Sequence, residues 1–253
     1  MAQISTKKGS KSEKKAYDLV NVDNQFIEAF IREGNIVALK MLFYIAGLNQ
    51  SPEDIKSEML KINIDLKHMI KETGVTERTF KRNLLKMQST SISIIDEKSE
   101  SYASLLPKII FDMKGKVQVQ MFKDVYALVQ KSSGNLTIID SQRIYKLKGK
   151  HTAKMLLLLE WISGFTIPRK LFDLEDLNLM FGTKYKSYKD FKNNVLEKTR
   201  EELESNSKLS FEYDDKRALT IVGKGRPRVV GFWISPIGKR SYQPKKKVSE
   251  ANP

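Results

Sequence analysis

The 253-residue chain has no cysteine, only two histidines and far fewer acidic than basic residues. The absence of cysteine excludes disulfides, thiolate zinc sites and cysteine nucleophiles, and it fits a reducing compartment. No apolar run approaches the about 18 residues of a membrane-spanning helix, and the N-terminus lacks the apolar core of a secretory signal. We therefore expect a cytoplasmic protein with no membrane partner.

The residues that commonly carry catalysis are sparse and scattered. His68 and His151 are far apart, and neither has a carboxylate or a second histidine at metal-ligand spacing. Asp214 and Asp215 form an adjacent carboxylate pair, but we expect them in a hairpin turn, where aspartate is common for conformational reasons. The sequence therefore predicts no enzyme, no metal site and no cofactor.

The most unusual feature of the composition is its positive charge. There are 45 Lys and Arg against 30 Asp and Glu, which gives a net charge of +15. Such a balance favours nucleic acid as the partner, with acidic proteins and anionic lipid as the alternatives. Segments 1–19 and 241–253 combine lysines with few apolar residues, so we expect a basic disordered arm and a basic disordered tail.

The first half of the chain has the element order of a winged helix. Apolar residues at helical spacing predict two helices that are broken near Gly34 and a third that runs from Ser51 to about Leu60. In the following segment, one short helix ends at Gly74 and a second begins after its cap, Thr76. Apolar residues then alternate through a hairpin whose turn, DMKGK, is basic.

The second half repeats this order. The polar segment KSSGNLT, residues 131–137, predicts a linker between domains at 20–130 and 138–240, while residues 138–147 match no clear pattern. Helices are predicted at 152–163, 174–181 and 187–203, and strands at 209–213, 218–222 and 228–234. We therefore predict an α+β fold of two winged-helix domains, in which small antiparallel β wings accompany the helices.

One helix in each half combines an apolar face with a cationic face. In the helix after Thr76, Phe80 and Leu84 share the apolar side. In KYKSYKDFKNNVL, which begins at Lys184, Phe191 and Val195 do the same. The candidate DNA-binding residues are Arg78, Thr79, Lys81, Arg82, Lys86, Lys114 and Lys116 in the first half, and Lys184, Lys186, Ser187, Lys189, Lys192, Asn193, Lys224, Arg226 and Arg228 in the second.

These residue types suit a recognition helix, which buries one side in its own domain and presents its N-terminal residues to the major groove. Lysine supplies charge, and Asn193 can form paired hydrogen bonds to adenine. Cationic loops beside the helix can contact the phosphate backbone. Lys192 falls within the apolar arc, so either its stem lies along the core or the helix begins elsewhere.

The segments YKSYKDFKNNVLEKTREELESNSKLSFEY and KGRPRVVGFWIS resemble the C-terminal half of the replication initiator proteins of iteron-containing, theta-replicating plasmids. A looser match extends through LKGKHTAKMLLLLEWI and LFDLEDLNLMFG to NQFIEAFIREGNIVALKMLFYIAGL near the front. The resemblance covers about residues 20–237 and is strongest after residue 150. It depends on the order of the elements, since no single residue defines it.

The resemblance implies two winged-helix domains that are related by a pseudo-two-fold axis and grip one DNA repeat together. It also implies a bacterial protein whose monomers bind origin repeats, whose homodimers pair through the N-terminal domain and repress its own promoter, and which recruits the host initiator and helicase. By resemblance, the recognition residues are Arg78, Lys81 and Arg82 in one domain and Lys186, Lys189, Lys192 and Asn193 in the other. The family often has arginine where this chain has lysine.

Two alternatives stay open at the level of sequence. A tandem winged-helix transcription repressor would bind one inverted repeat, whereas an initiator would bind several direct repeats beside an A·T-rich stretch. A nicking initiator endonuclease is the more distant alternative, because its tyrosine nucleophile would need a metal site that the sequence does not predict.

Overall fold

The computed structural model describes residues 19–33, 35–48, 57–95, 100–112, 116–130, 134–217 and 228–240. The N-terminal half is residues 19–130, and the C-terminal half is residues 134–240. The expected disordered tail at 241–253 lies outside the described residues, as does the expected arm except for its last residue, Leu19, which begins the first strand.

Helices and strands are mixed along both halves. The N-terminal half contains β1 (Leu19–Asp23), α1 (Asn24–Glu33), α2 (Ile36–Ala46), β2 (Met59–Asp65), α3 (Leu66–Thr73), α4 (Glu77–Ser89), β3 (Ser91–Ile95), β4 (Glu100–Ser104), β5 (Lys108–Phe111), β6 (Lys116–Phe122) and α5 (Lys123–Val129). The C-terminal half contains β7 (Leu136–Asp140), α6 (Ser141–Lys146), α7 (Lys150–Ile162), β8 (Lys170–Phe172), α8 (Leu174–Phe181), α9 (Tyr188–Phe191), a π-helical turn (Lys192–Leu196), α10 (Glu197–Asn206), β9 (Leu209–Arg217) and β10 (Val229–Gly238).

The helix-turn-helix of each half has the predicted caps. Helix α3 ends at Gly74, which has φ 67°, and the side chain of Thr76 accepts a hydrogen bond from the Thr79 amide to begin α4. Helix α8 ends in the same way at Gly182, which has φ 61°. Glycine adopts this left-handed conformation without the Cβ clash of other residues, so it ends both helices sharply.

The two halves also share one sheet topology. The antiparallel sheet of the N-terminal half has the order β2-β6-β5, and that of the C-terminal half has the order β8-β10-β9. In each case the strand before the helix-turn-helix pairs with the last strand of the wing. These sheets, together with the two helix-turn-helix units, confirm the predicted α+β fold of two winged helices.

The sequence prediction was wrong about the end of the third helix. Residues 51–56 lie outside the described part of the chain, but Leu60 belongs to strand β2. Leu60, Ile62 and Ile64 are buried while the residues between them are exposed, which is the period of a strand. The antiparallel pair β3 and β4 was not predicted either.

Strands β1 and β7 join the two halves and display their pseudo-two-fold relation. They pair antiparallel, with Leu19 opposite Asp140 and Asp23 opposite Leu136. The first residue of each strand therefore faces the last residue of the other. Strand β7 includes the last two residues of the expected linker at 131–137 and begins the stretch that the sequence left unassigned, which continues as helix α6.

The first helix of each half packs across the junction onto the other half. Helix α1 contacts α7 and α8, and helix α6 contacts α2 and α3. The two helices have thus exchanged places about the pseudo-two-fold axis. A shared core of buried apolar side chains runs through both halves.

Asp214 and Asp215 lie in strand β9, so the prediction that they occupy a hairpin turn was wrong. Side chains of successive residues in a strand point to opposite faces, which separates these two carboxylates. Asp215 forms an ion pair with Arg217, with 2.7 Å between Oδ2 and Nη2. Their arrangement does not create a paired acid and base.

Glu202, in the middle of α10, forms hydrogen bonds to residues at the start of α7. Its Oε1 accepts hydrogen bonds from the amides of Lys148 at 2.7 Å and Gly149 at 3.1 Å, and its Oε2 accepts one from the Thr152 hydroxyl. Burial alone would raise the pKa of Glu202, but these hydrogen bonds outweigh it and the pKa lies below its ordinary value. The ionised carboxylate thus caps the N-terminus of α7.

We expect Glu202→Ala to lower the free energy of unfolding at pH 7 by about 2 to 3 kcal/mol, because three donors lose a charged acceptor. A carboxyl whose folded pKa is depressed stabilises the fold above its unfolded pKa and loses this effect as the pH falls through the folded value. The difference between wild type and variant should therefore shrink in acid. Urea unfolding at several pH values measures it, with the exposed neighbour Glu201→Ala as the control; equal stability of all three proteins at pH 7 would contradict this role.

Candidate nucleic-acid interface

Helix α4 presents the cationic face of the N-terminal half. Its apolar side chains, Phe80 and Leu84, are fully buried. On the other side the exposed cations are Arg78, Lys81, Arg82 and Lys86. Lys81 forms an ion pair with Glu77 at 2.7 Å, and Thr79 is half-buried with its hydroxyl bonded to the cap residue Thr76.

The C-terminal half places its basic segment on the turn after α8. Asn178 holds this turn: its Oδ1 accepts hydrogen bonds from the Thr183 hydroxyl at 2.7 Å and the Tyr185 amide at 2.9 Å, while its Nδ2 donates to the Tyr185 carbonyl. The rings of Tyr185 and Phe191 are in edge contact at 6.0 Å. The backbone between Gly182 and α9 is therefore fixed by packing and hydrogen bonds.

Tyrosines anchor this segment and lysines are left on its surface. Tyr188 packs on Phe232 at 5.3 Å and accepts a hydrogen bond from the Leu174 amide. Lys184, Lys186 and Lys189, each next to one of the two tyrosines in sequence, are exposed. The repulsion among these lysines is therefore confined to a surface that solvent or a polyanion can reach.

Ser187 and Asn193 occupy two different positions on this helix. Ser187 is the N-cap of α9: its hydroxyl accepts a hydrogen bond from the Asp190 amide at 3.1 Å and donates one to the Asp190 carboxylate. Asn193 is exposed six residues further along. Its side chain is thus on the surface, where it can meet a base edge.

The π-helical turn explains why Lys192 did not fit the helical wheel. Phe191, Val195, Thr199 and Leu203 are all buried, although a spacing of four drifts by about 40° per step in an α-helix. The wider π turn, Lys192–Leu196, offsets one such step and keeps the stripe on the core. Lys192 is half-buried at the edge of this stripe.

Lys192 lies against the wing of its own half. Its Nζ lies 5.2 Å from the ring centroid of Tyr213 in β9, and the Arg200 guanidinium lies 5.7 Å from the same ring. The Tyr213 hydroxyl donates a hydrogen bond to Glu197. Burial, followed by the hydrogen bond to Glu197, raises the pKa of Tyr213. The hydrogen bond itself joins the helical segment to the wing.

The wings contribute further cations beside both helices. Lys116 is the first residue of β6, and Arg228 directly precedes β10; both are exposed. Lys114, Lys224 and Arg226 lie outside the described residues. Sequence reasoning missed the turn residue Asn178 and the wing residue Tyr213, since their roles depend on contacts with segments elsewhere in the chain.

Among the described residues, no group of three or more His, Asp or Glu side chains could hold a metal ion. In the same part of the chain, no helix is long and apolar enough to cross a membrane.

The fold and the exposed cations define a protein of two winged-helix units, each with a basic helix after the turn and a wing. Two family models match the chain: "Initiator Replication protein, WH1" over residues 19–160, which extends beyond the expected linker at 131–137, and "Initiator Rep protein, WH2" over residues 173–235. The chain belongs to this replication initiator family. Curated proteins gave no sequence match.

A solved structure shows the same fold. The chain is similar to the protein in "Crystal structure of Pi initiator protein in complex with iteron DNA", with a TM-score of 0.68 and 12% sequence identity. The match covers 88% of this chain and 98% of the Pi chain. At this identity the likeness concerns the arrangement of the elements.

Proposed function

We propose that this protein is a plasmid replication initiator that binds repeated double-stranded DNA sites, the iterons, at an origin. One observation carries the proposal: both recognition helices expose a basic face, while β1 and β7 hold the two halves together. Family membership and the iteron DNA of the Pi complex support it.

The two faces divide into groups of different chemistry. Arg78, Arg82 and Asn193 carry donors that suit base edges in the major groove. Lys116 and Arg228 suit phosphates, because a wing beside the groove meets the backbone. We assign the first group to sequence reading and the second to backbone contacts, with Lys114, Lys224 and Arg226 as further candidates for the backbone.

The finer parts of the proposal concern regulation and partners. We infer that monomers bind the iterons, whereas a homodimer that pairs through the N-terminal domain at 20–130 represses the protein's own promoter. The domain at 138–240 is then the main reader of sequence. Host initiator and helicase are the expected partners in the bacterial cytoplasm, and the protein itself carries out no chemical step.

A mobility-shift assay with DNA that flanks the protein's own gene tests the proposal. We expect retarded complexes that increase in number with the count of direct repeats, and no comparable binding to a shuffled duplex of equal length. A single complex on one inverted repeat would instead favour the tandem winged-helix repressor. A nicked, covalently tailed product from supercoiled origin DNA with Mg²⁺ would overturn the assignment as a non-enzyme.

A further inference from the structure

Two buried lysines occupy equivalent positions in the two halves. Lys40 is the fifth residue of α2 and Lys154 is the fifth residue of α7, and each is 8% exposed. Lys40 is the single charged residue of α2, and Lys154 lies directly before the apolar run 155–159 of α7. Lysine is rarely buried unless its ammonium group is paired, so we expect each ammonium group to have buried acceptors.

Each ammonium group bonds the C-terminal ends of two helices. Lys40 Nζ donates to the carbonyls of Thr73 in α3 at 3.2 Å and Tyr145 in α6 at 2.7 Å. Lys154 Nζ donates to the carbonyls of Met180 in α8 at 3.1 Å and Arg32 in α1 at 3.3 Å. Carbonyls in the last turn of a helix lack an intrahelical donor and carry partial negative charge, which a buried ammonium satisfies.

Every pair of acceptors joins one half of the chain to the other. Tyr145 belongs to the exchanged helix α6 and Arg32 to the exchanged helix α1. Thr73 and Met180 belong to the helices that precede the recognition helices, directly before the turns at Gly74 and Gly182. The lysines therefore lie where a shift between the halves would move the start of a recognition helix.

The burial of these groups is unfavourable in itself. Desolvation lowers the pKa of Lys40, although Glu202 opposes the effect, and desolvation together with Lys150 lowers that of Lys154. Methionine would fill the same space without this cost. Compared with an apolar side chain, each lysine therefore adds directed hydrogen bonds to two helix ends and not extra stability.

We propose that Lys40 and Lys154 are positioning residues that fix the distance and angle between the two recognition helices, and thereby the half-site spacing that the protein accepts in DNA. The inference rests on the proposed function, because it assumes that both helices bind one duplex. Each lysine acts through the carbonyls of the exchanged helix and of the helix before the recognition helix.

The test compares duplexes that carry one origin repeat with duplexes in which about five base pairs, half a helical turn, are inserted at the centre. We expect wild type to lose about 100-fold or more in affinity on insertion, because the second contact no longer forms. The variant Lys40→Met/Lys154→Met should lose less than about 10-fold. The control, Lys61→Met/Lys208→Met, removes two exposed charges and should remain as selective as wild type.

A distance measurement on the free protein tests, without DNA, whether the lysines fix the two helices relative to each other. Because the chain has no cysteine, Ser89→Cys in α4 and Ser205→Cys in α10 accept spin labels at two defined exposed positions. We expect one narrow distance with both lysines present and a displaced or broader distribution in the methionine variants. If these fail to fold, Lys40→Arg and Lys154→Arg keep the donors but force larger groups between the helix ends, and should displace the distance.

An unchanged distance in the folded variants, or an unchanged penalty for the insertion, would overturn the inference. Failure of wild type to prefer the origin repeat over a shuffled duplex would instead overturn the proposed function. In that event the spin-label distances would still report whether the lysines fix the two helices.

Discussion

Replacing Lys186, Lys189 and Asn193 together by alanine is expected to lower affinity for the origin repeat about 10³-fold, or about 4 kcal/mol. The two lysines supply charge for phosphates, and Asn193 supplies a paired donor and acceptor for a base. All three side chains are exposed, so the substitutions leave the packing of Phe191 and Val195 intact. Fluorescence anisotropy with a labelled duplex measures the loss.

The control for this variant is Lys198→Ala/Lys208→Ala. It removes an equal number of positive charges, two, from exposed positions outside the predicted face. Both proteins should unfold within about 0.5 kcal/mol of wild type, as is usual for surface substitutions. If the control lost as much affinity as the triple variant, general charge would explain binding and the assignment of this face would be wrong.

Single substitutions should distinguish residues that contact bases from residues that contact phosphates on the same helix. Asn193→Ala is expected to cost about 1 to 3 kcal/mol on the preferred sequence and to relax discrimination at one base position. Lys189→Ala should weaken preferred and altered sequences alike. A selection from randomised duplexes distinguishes the two, and identical behaviour of both variants would contradict this division.

Raising the salt concentration from about 50 to 200 mM is expected to lower affinity by about 10³- to 10⁵-fold, if the protein neutralises about six to ten phosphates. The exposed cations of both recognition helices and both wings make this number of contacts feasible. The physical cause is the release of counterions condensed on the duplex. A titration at several salt concentrations gives the slope of log affinity against log salt.

Substitutions in each half then show how much that half contributes to the slope of log affinity against log salt. Removing Lys86 and Lys116 from the N-terminal half should reduce its magnitude by about 0.9 for each cation that contacts a phosphate. The pair Lys186→Ala/Lys189→Ala should reduce it in the same manner. An affinity that hardly changes with salt would contradict a phosphate-binding role for these faces.

Local signals predicted the helix-turn-helix units well. The cap at Thr76 and the glycines at Gly74 and Gly182 are short-range features, and the structure places all three as expected. The buried stripe that begins at Phe191 was also predicted correctly. Such signals act within a few residues, so their physical causes can be read from the sequence alone.

Features that depend on distant contacts were not predictable in this way. The pairing of Leu19 with Asp140 joins segments from opposite halves of the chain. The position of Lys192 depends on a π turn, which a wheel with a fixed α-helical period cannot represent. The exchange of α1 and α6 follows from packing between halves.

The buried lysines did leave a signal in the sequence. Lys40 is the single charge in IVALKMLFYIA, and Lys154 lies directly before the apolar run of KHTAKMLLLLEWI. A charge in such a position is expected to meet buried acceptors. The partner carbonyls, including Tyr145 and Arg32, could be identified only from the fold.

Hydroxyl-radical footprinting of one origin repeat tests the central claim most directly, namely that both recognition helices bind the same duplex. We expect two protected segments centred about one helical turn apart. Arg78→Ala/Arg82→Ala should remove one segment and Lys186→Ala/Lys189→Ala the other. A single protected segment, lost with only one of these variants, would contradict the account.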